Sequence, residues 1–378
     1  EKHFRLEALK RRQPMVFDRG AKLGAAAVGS QRYVDHAFGA SFRAAVWIKR
    51  MLEARAHEHA LIILEDVDRA VTVMHVEVEN RHALNARGER HVRADSNVVE
   101  EAVFADSMGI FGINLGEHHR DDFAISAPDT ILAGIATRTK QIQLGTGVTV
   151  LSSDDSVRVF ERFSTLDALS NGRAEITAGR GSFIESFPLF GYELSQYEVL
   201  FEEKLELLVE LLKEKPVTWS GSTRLPLNNQ HVYPKTEKGS IPLRVGVGGT
   251  PASVVRAARL DLQLAIAIIG GDPARFAPFA HLYRNSMQEF GHALRDISIH
   301  SPGYISDTDE QAMEEQWPNY EKMVGRIGRE RGWAPPTKEG FAQECMYGSQ
   351  YVGSPETVAK KIVHAIKSVG AQRFDFKY

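Results

Sequence analysis

Polar or glycine-rich residues follow three short apolar segments of this sequence. They are the pair His118 and His119, the run Gly179-Arg180-Gly181-Ser182, and the run Gly248-Gly249-Thr250-Pro251-x-Ser253. Imidazole exchanges protons near neutral pH, a guanidinium binds anions, and glycines let a ligand approach the backbone. These residue types therefore suit proton transfer and the binding of an anionic ligand such as a phosphate.

The adjacent histidines leave two interpretations open. Neighbouring side chains of a strand point to opposite faces, so regular strand geometry brings only one of the two into a pocket. The pair could be structural, hydrogen-bonded where a strand ends, or one imidazole could transfer protons at neutral pH. The pair has no partner at the spacing that metal sites use, so we predict no metal.

The arginine and the glycine-led run also have structural alternatives. Arg180 could pair with a nearby acid such as Glu185, although its flanking glycines favour close approach of a ligand. Thr250 could simply cap a helix that begins at Pro251. That helix start also offers free N–H groups and about half a unit of positive charge, which suits a phosphate.

Alternating apolar strands and amphipathic helices predict the scaffold that positions these residues. The predicted strands are 109–115, 142–151, 173–178, 242–248, 263–269, 297–305 and 373–376. Helices are predicted to begin after Asp155, at a capping box of Ser195 and Glu198, and at Pro251, Pro273 and Pro355. Seven or eight such repeats favour an α/β fold of the (β/α)₈ TIM-barrel type over an open sheet.

Three segments depart from this alternation. Residues 215–240 are predicted to form a hairpin and 329–350 an irregular insertion, and either could be a lid. Residues 1–95 are predicted as an atypical segment before a barrel domain at 96–378, with 71–78 as their best strand candidate. They could supply the barrel's first strand, or part of them could be an artefact of translation or assembly.

Composition and charge exclude several functions. The net charge is −3 and the basic residues are scattered without runs, so nucleic-acid binding is not expected. No stretch reaches the roughly 18 apolar residues of a membrane span, and no secretory signal is recognisable, so a cytoplasmic location is expected. The single cysteine, Cys345, excludes an internal disulfide and a cysteine-built metal site.

Three segments carry a resemblance to a known family. They are GINLGEHHRDDFAISAP at 112–128, LGTGVTVLSSDDSVRVFERFSTLDALSNGRAEITAGRGSF at 144–183 and PLRVGVGGTPASVVRAA at 242–258. In this order they resemble the bacterial luciferase-like flavin monooxygenases, in particular an uncharacterised branch with this AGRGSF…FPLFGY run. The likeness covers about 96–378 and implies a luciferase-like TIM barrel. Because the family continues past its eighth strand into a final helix, the barrel is expected to be truncated at its carboxyl end.

The resemblance implies roles for individual residues. The first histidine after the family's Gly-Glu pair is the catalytic base beside the flavin, which implies that role for His118 and a structural one for His119. Thr146 and Gly147 match positions beneath the isoalloxazine, often with a non-proline cis peptide. The residues implied to bind the FMN phosphate and its surroundings are Arg180, Gly181, Ser182, Gly249, Thr250 and Ser253. Residues that could line the pocket, or instead serve capping and loop packing, are Ser152, Ser153, Phe183, Phe187, Phe190 and Tyr192.

The resemblance also implies an activity. The chain is expected to be a monooxygenase that takes reduced FMN from a separate NAD(P)H:flavin reductase and acts with O₂ on a small organic substrate. A homodimer is a candidate assembly. The alternatives are an F420-dependent oxidoreductase, a non-catalytic flavin-binding barrel, and a damaged gene fragment without function.

Overall fold

The computed structural model describes residues 71–76, 93–181 and 183–378. The strands are β1 (Val71–Val76), β2 (Gly112–Leu115), β3 (Gln143–Thr146), β4 (Thr149–Val150), β5 (Ile176–Gly179), β6 (Val217–Trp219), β7 (Leu227–Gln230), β8 (Leu243–Val247), β9 (Gln263–Ala267), β10 (Ile297–Ile305), β11 (Tyr351–Gly353) and β12 (Arg373–Lys377). Ser182 lies outside the described residues, so its role stays a prediction.

Helices cover the strands on the outside. They are α1 (Arg93–Ser107), α2 (Pro128–Ala136), α3 (Ser156–Ser170), α4 (Ser186–Leu189), α5 (Tyr197–Leu212), α6 (Pro251–Arg259), α7 (Ala277–Glu289), α8 (Asp309–Arg331), α9 (Lys338–Tyr347) and α10 (Pro355–Val369). Short 3₁₀ helices lie at Leu151–Ser153, Leu194–Gln196 and Pro273–Phe276. None of these described helices has the length and apolar character that a membrane crossing needs.

The parallel strands close into a barrel. Of the sheet's ten strands, β11 only flanks β10, and β3 with β4 makes one strand interrupted at Gly147 and Val148, which leaves eight barrel positions. β3 pairs with β2, β4 pairs with β5, and a parallel bridge joins Leu144 to Ala174. From β5 the order continues β8, β9, β10, β12, β1 and back to β2. The predicted TIM barrel is confirmed.

Strand β1 lies inside the segment that the sequence sets apart at 1–95. Val71 pairs with Arg373 of β12, and Val73 pairs with Gly112 of β2. This pairing fills the gap between β12 and β2, so the barrel has no open edge there. The domain boundary near residue 96 stays a prediction, and β1 lies on its amino-terminal side.

Helix starts follow the sequence signals with one exception. The Asp155 carboxylate accepts hydrogen bonds from the N–H groups of Val157 and Arg158, and Asp272 and Ser354 cap the helices that they precede. The capping box of Ser195 and Glu198 is wrong. α5 begins at Tyr197 without a side-chain cap, Ser195 lies within the preceding 3₁₀ helix, and the Glu198 carboxylate pairs with arginines from two other elements.

The two predicted insertions differ in outcome. The hairpin at 215–240 is confirmed, since β6 and β7 pair antiparallel. The irregular insertion at 329–350 is wrong, because α8 continues to Arg331 and α9 covers most of the remainder. A small cluster of buried residues, separate from the main core, holds α9 in place; its members are Ala312, Phe341, Cys345 and Val352. Of these, α9 contributes only Phe341 and Cys345, and two buried positions are too few to show a helical period in the sequence.

A buried ionic layer fills the amino-terminal end of the barrel. Arg244 Nη1 donates to Glu175 Oε2 at 2.9 Å, and Arg373 Nη1 and Nη2 donate to the two Glu175 oxygens at 2.9 and 2.7 Å. Since β8, β9 and β10 separate β5 from β12 in the sheet, the contact with Arg373 crosses the interior. A Cβ at Gly145 would lie 2.8 Å from Glu175 Cγ, so only glycine leaves room there. Burial favours the protonated acid, but the two arginines outweigh it and lower the pKa of Glu175 to about 2.

Candidate functional site

The residues singled out from the sequence meet at one end of the barrel. His118 follows β2, Gly147 lies between β3 and β4, Arg180 follows β5, and Gly249 follows β8. These strands are consecutive neighbours in the sheet, so their carboxyl ends form one continuous section of the rim. Barrel enzymes place their active sites at that end.

The two histidines face different surroundings. The His118 ring is partly buried and lies 3.9 Å from the Phe123 ring and 5.4 Å from the Phe183 ring, measured between centroids. His119 Nε2 lies 3.1 Å from Glu117 Oε1. His118 is thus enclosed by aromatic side chains, and His119 is tied to an acid of its own loop.

Glu117 is a site residue that the sequence reasoning missed. One of its oxygens contacts His119, and the other accepts a hydrogen bond from Val150 N at 3.0 Å. The hydrogen bond with Glu117 raises the pKa of His119, although burial opposes it. Glu117 therefore fixes the loop after β2 against β4. Its position beside the two histidines was the available signal.

A lid of aromatic and charged residues lies over His118. Phe183 has the Arg120 guanidinium 4.4 Å from its ring centroid and the Arg331 guanidinium 5.6 Å from it. Arg120 also makes a two-bond ion pair with Glu330 near the end of α8, at 2.9 and 2.7 Å. The end of α8 thus helps to cover the loop that carries the histidines.

The other three aromatic residues of the predicted cluster do not join this lid. Phe187 is buried and stacks on Tyr197 at 5.5 Å, and Phe190 meets the His119 ring at 4.9 Å. Tyr192 lies 4.0 Å from the Lys204 ammonium. In the part of the chain that the structure describes, Phe183 packs on His118 while the other three have the separate neighbours given above, so the four aromatics do not form one wall.

The interrupted strand β3–β4 crosses the floor of the site. The Thr146 side chain is buried and its hydroxyl lies 2.7 Å from that of Thr149. Gly147 and Val148 are partly exposed, and the peptide bond between them is cis. A Cβ at Gly179 would lie 2.6 Å from Val148 Cγ2, so glycine at that position makes room for Val148.

Ser152 and Ser153 follow β4 and contact the backbone of β4 and Lys204 of α5. Both are buried, and the Ser153 hydroxyl donates to the Val150 carbonyl at 3.3 Å. Lys204 Nζ donates to the Ser152 carbonyl at 2.7 Å, and burial lowers the pKa of that lysine to about 8. Neither serine caps α3, which Asp155 does.

Arg180 and Arg256, which lies in the last turn of α6, meet through a shared carboxylate. Arg180 Nη1 pairs with Glu198 Oε1. The alternative prediction, that Arg180 pairs with Glu185, is therefore wrong. The other oxygen of Glu198 lies 3.5 Å from Arg256 Nη2. Arg256 Nη1 in turn lies 3.5 Å from the Ser253 hydroxyl. The structure therefore joins the two predicted anion-binding loops in one cluster.

The backbone around this cluster is open to a ligand. A Cβ at Gly248 would meet no atom within 4 Å, and Gly249 has a φ of +113°, which glycine adopts readily. Thr250 makes no side-chain capping bond to α6, so simple capping is wrong for this hydroxyl. With two guanidinium groups and a helix start beside an open glycine segment, these residues fit a phosphate.

A cavity also lies elsewhere. It has a volume of about 680 Å³, and its lining includes residues that precede β8, β9 and β10, among them Asp261 and Arg295. Those residues mark the amino-terminal end of the barrel, away from Arg180 and His118. We therefore assign the site by chemistry rather than by cavity size. Over the described ranges, no group of three or more His, Cys, Asp or Glu residues could hold a metal ion.

Comparisons with known proteins show which proteins this chain resembles. The family model described as luciferase-like monooxygenase matches residues 77–373. N-acetyl-S-alkylcysteine monooxygenase of Bacillus subtilis is 29% identical over 229 residues, which cover 57% of this chain and 65% of that protein. The matches to two uncharacterized proteins of Sinorhizobium fredii span only 39% and 36% of those relatives, at 34% and 31% identity.

Solved structures establish the fold. A type II Baeyer–Villiger monooxygenase of Pseudomonas putida, in complex with FMN, superposes with a TM-score of 0.66 at 18% identity, covering 82% of this chain and 92% of that one. A coenzyme F420-dependent tetrahydromethanopterin reductase of Methanopyrus kandleri gives 0.62 at 17% identity, covering 82% and 93%.

Proposed function

Because this chain belongs to the luciferase-like monooxygenase family, we propose that it binds reduced FMN at the carboxyl end of the barrel and uses O₂ to oxidise a small organic molecule. A bound reduced flavin would supply two of the four electrons that reduce O₂, and the substrate would supply the other two. One oxygen atom goes to the substrate, and the other leaves as water after taking up two protons. The observation that carries the proposal is the cluster in which Glu198 links Arg180 to Arg256 of α6, whose guanidinium also lies beside the Ser253 hydroxyl.

Two groups of residues are proposed to contact FMN, one at its ring system and the other at its phosphate. Thr146 and Gly147 are proposed to lie beneath the ring system, at the floor of the site. The residues proposed at the phosphate are Arg180, Gly181, Ser182, Gly249, Thr250 and Ser253. A separate NAD(P)H:flavin reductase is proposed to deliver the reduced cofactor, and a homodimer is the proposed assembly.

His118 is proposed to hold and move the protons. Its imidazole suits that task because it exchanges protons near neutral pH. Phe123 and Phe183 pack against the ring, and Arg120 lies over Phe183. These contacts cover part of the imidazole, and removing water from a site strengthens the electrostatic interactions inside it.

The function is tested by loading the purified chain and following its turnover. FMN and F420 are titrated in parallel, and the visible spectrum reports which is retained. Oxygen consumption is then followed with NADH, a flavin reductase and three candidate substrates: an N-acetyl-S-alkylcysteine, an alkanal and 3,6-diketocamphane. They are taken from the names of the Bacillus subtilis relative, of an alkanal monooxygenase of Aliivibrio fischeri that is 25% identical over 201 residues, and of the Pseudomonas putida enzyme. We expect FMN retention and substrate-dependent oxygen use. Binding of F420 alone would favour an F420-dependent oxidoreductase, and FMN retention without oxygen use would favour a non-catalytic barrel.

We expect Arg180→Ala to weaken FMN binding about 10- to 150-fold, because a charge-assisted hydrogen bond contributes about 1.5–3 kcal/mol. Flavin fluorescence titration measures the change. Riboflavin, which lacks the phosphate, should bind both proteins alike. Arg158→Ala is the matched control, since Arg158 is exposed on α3 and pairs only locally with Glu161. Equal FMN affinities for Arg180→Ala and the parent would remove Arg180 from the site.

A further inference from the structure

The anion cluster contains an anion of its own. The Glu198 carboxylate divides its two oxygens between Arg180, which follows β5, and Arg256, which lies on α6. A phosphate monoester also offers several oxygens, and it binds guanidinium groups through paired hydrogen bonds. In the described structure, the carboxylate therefore occupies the position between the two cations that such a ligand would take.

The two arginines are held in position from other sides as well. The Arg256 side chain is 12% exposed, pairs through Nε with Glu202 and lies 5.6 Å from the Phe201 ring. Arg180 is 21% exposed and has its guanidinium carbon 5.0 Å from the Tyr197 ring. Each guanidinium therefore keeps a neighbour if Glu198 leaves.

Glu198 itself is the movable member of the cluster. Its side chain is 64% exposed, so it can turn into solvent without losing a buried environment. An ion pair this exposed contributes little to stability, so replacing the Glu198 carboxylate with a phosphate costs little free energy. The opposite exchange, in which an arginine leaves, would break packing against an aromatic ring.

We propose that Glu198 is an internal stand-in for the cofactor's phosphate, which displaces it and binds both Arg180 and Arg256. This inference rests on the proposed function, and it adds two residues that the sequence did not assign. Arg256 becomes a phosphate-binding residue, and Glu198 becomes a competitor that lowers affinity. The signal for Arg256 is its spacing, three residues after Ser253 on the same face of α6.

The test compares FMN with riboflavin in matched variants. Glu198→Gln should tighten FMN binding about two- to fivefold, the range that an exposed ion pair supplies, and leave riboflavin unchanged. Arg256→Ala should weaken FMN binding about tenfold or more, again without an effect on riboflavin. Glu206→Gln is the control, because Glu206 lies on the same helix and pairs with Arg259 instead.

Each result bears on either the inference or the function. If Glu198→Gln leaves the ratio of FMN to riboflavin affinity unchanged or lowers it, the displacement is overturned; if Arg256→Ala leaves that ratio unchanged, Arg256 is not a phosphate-binding residue. Equal affinities for FMN and riboflavin in the parent chain overturn the phosphate site and the inference together.

If neither flavin binds, the proposed function fails and inorganic pyrophosphate becomes the probe. Thermal stabilisation by pyrophosphate is then measured at matched ionic strength. A larger stabilisation of Glu198→Gln than of the parent supports the inference on its own, and equal stabilisation overturns it.

Discussion

Replacing Glu175 with glutamine should lower the free energy of unfolding by about 3–5 kcal/mol near neutral pH, because it removes one partner of a buried ion cluster. Arg373 loses its ion pair with Glu175 and keeps the Asp375 carboxylate, Arg244 loses its ion pair with Glu175, and both arginine side chains are buried. Neither guanidinium loses its proton, so each stays charged in its buried position after the substitution. Urea unfolding followed by far-ultraviolet circular dichroism measures the loss.

The same cluster predicts a pH dependence. The pKa of Glu175 falls from 4.5 to about 2 on folding, so its contribution to stability is present above about pH 4.5 and is lost as the pH falls toward 2. The difference in free energy of unfolding between the parent and Glu175→Gln should therefore become smaller as the pH falls from about 4.5 toward 2. Glu210→Gln, an exposed residue paired with Lys213, should change stability by no more than about 0.5 kcal/mol. A similar loss of stability in Glu175→Gln and Glu210→Gln would show that the buried ionic layer stabilises the fold no more than an exposed ion pair does.

We expect His118→Asn to slow substrate-dependent oxygen consumption by about 10²- to 10⁴-fold, the range that general acid–base catalysis contributes. Asparagine keeps a polar side chain of similar reach but does not exchange a proton near neutral pH. FMN affinity should change little, because the proposed phosphate residues lie on other loops. The rate is measured with saturating reduced FMN and the substrate found in the panel.

His281→Asn provides the control for that experiment. His281 is exposed on α7, and its substitution should leave oxygen consumption unchanged. A parent-like rate in His118→Asn would remove the proton-transfer role. A loss of FMN affinity in parallel with the rate would instead make His118 a binding residue.

The barrel strands were predictable because most of them are buried on both faces. Burial on both faces produces short apolar runs, such as the one that becomes β3 and β4, and parallel pairing needs little else from the sequence. The apolar run that becomes β1 is the best strand candidate in 1–95. Its neighbours in the sheet, β2 and β12, lie at distant positions in the sequence. The positions of the glycines and histidines at strand ends were sufficient to locate one rim of the barrel.

The ionic partners were not predictable in the same way. Arg373 lies 198 residues from Glu175. The sequence predicts Glu198 in a local capping box, whereas the fold places two arginines beside it. Short-range patterns describe the nearest turn of a helix, whereas charge pairing depends on which elements become neighbours in space. The helix α9 was missed for a related reason, since its apolar face packs on a small separate cluster.

The pairing of β1 with β12 has a consequence for synthesis of the protein. β12 follows every other barrel strand in the chain, and both β1 and β10 need it as a neighbour. A nascent polypeptide leaving the ribosome therefore carries two unsatisfied strand edges until translation has passed the last of these segments. During that interval such edges invite association with other chains, and a chaperone that covers extended backbone would find its longest-lived target there.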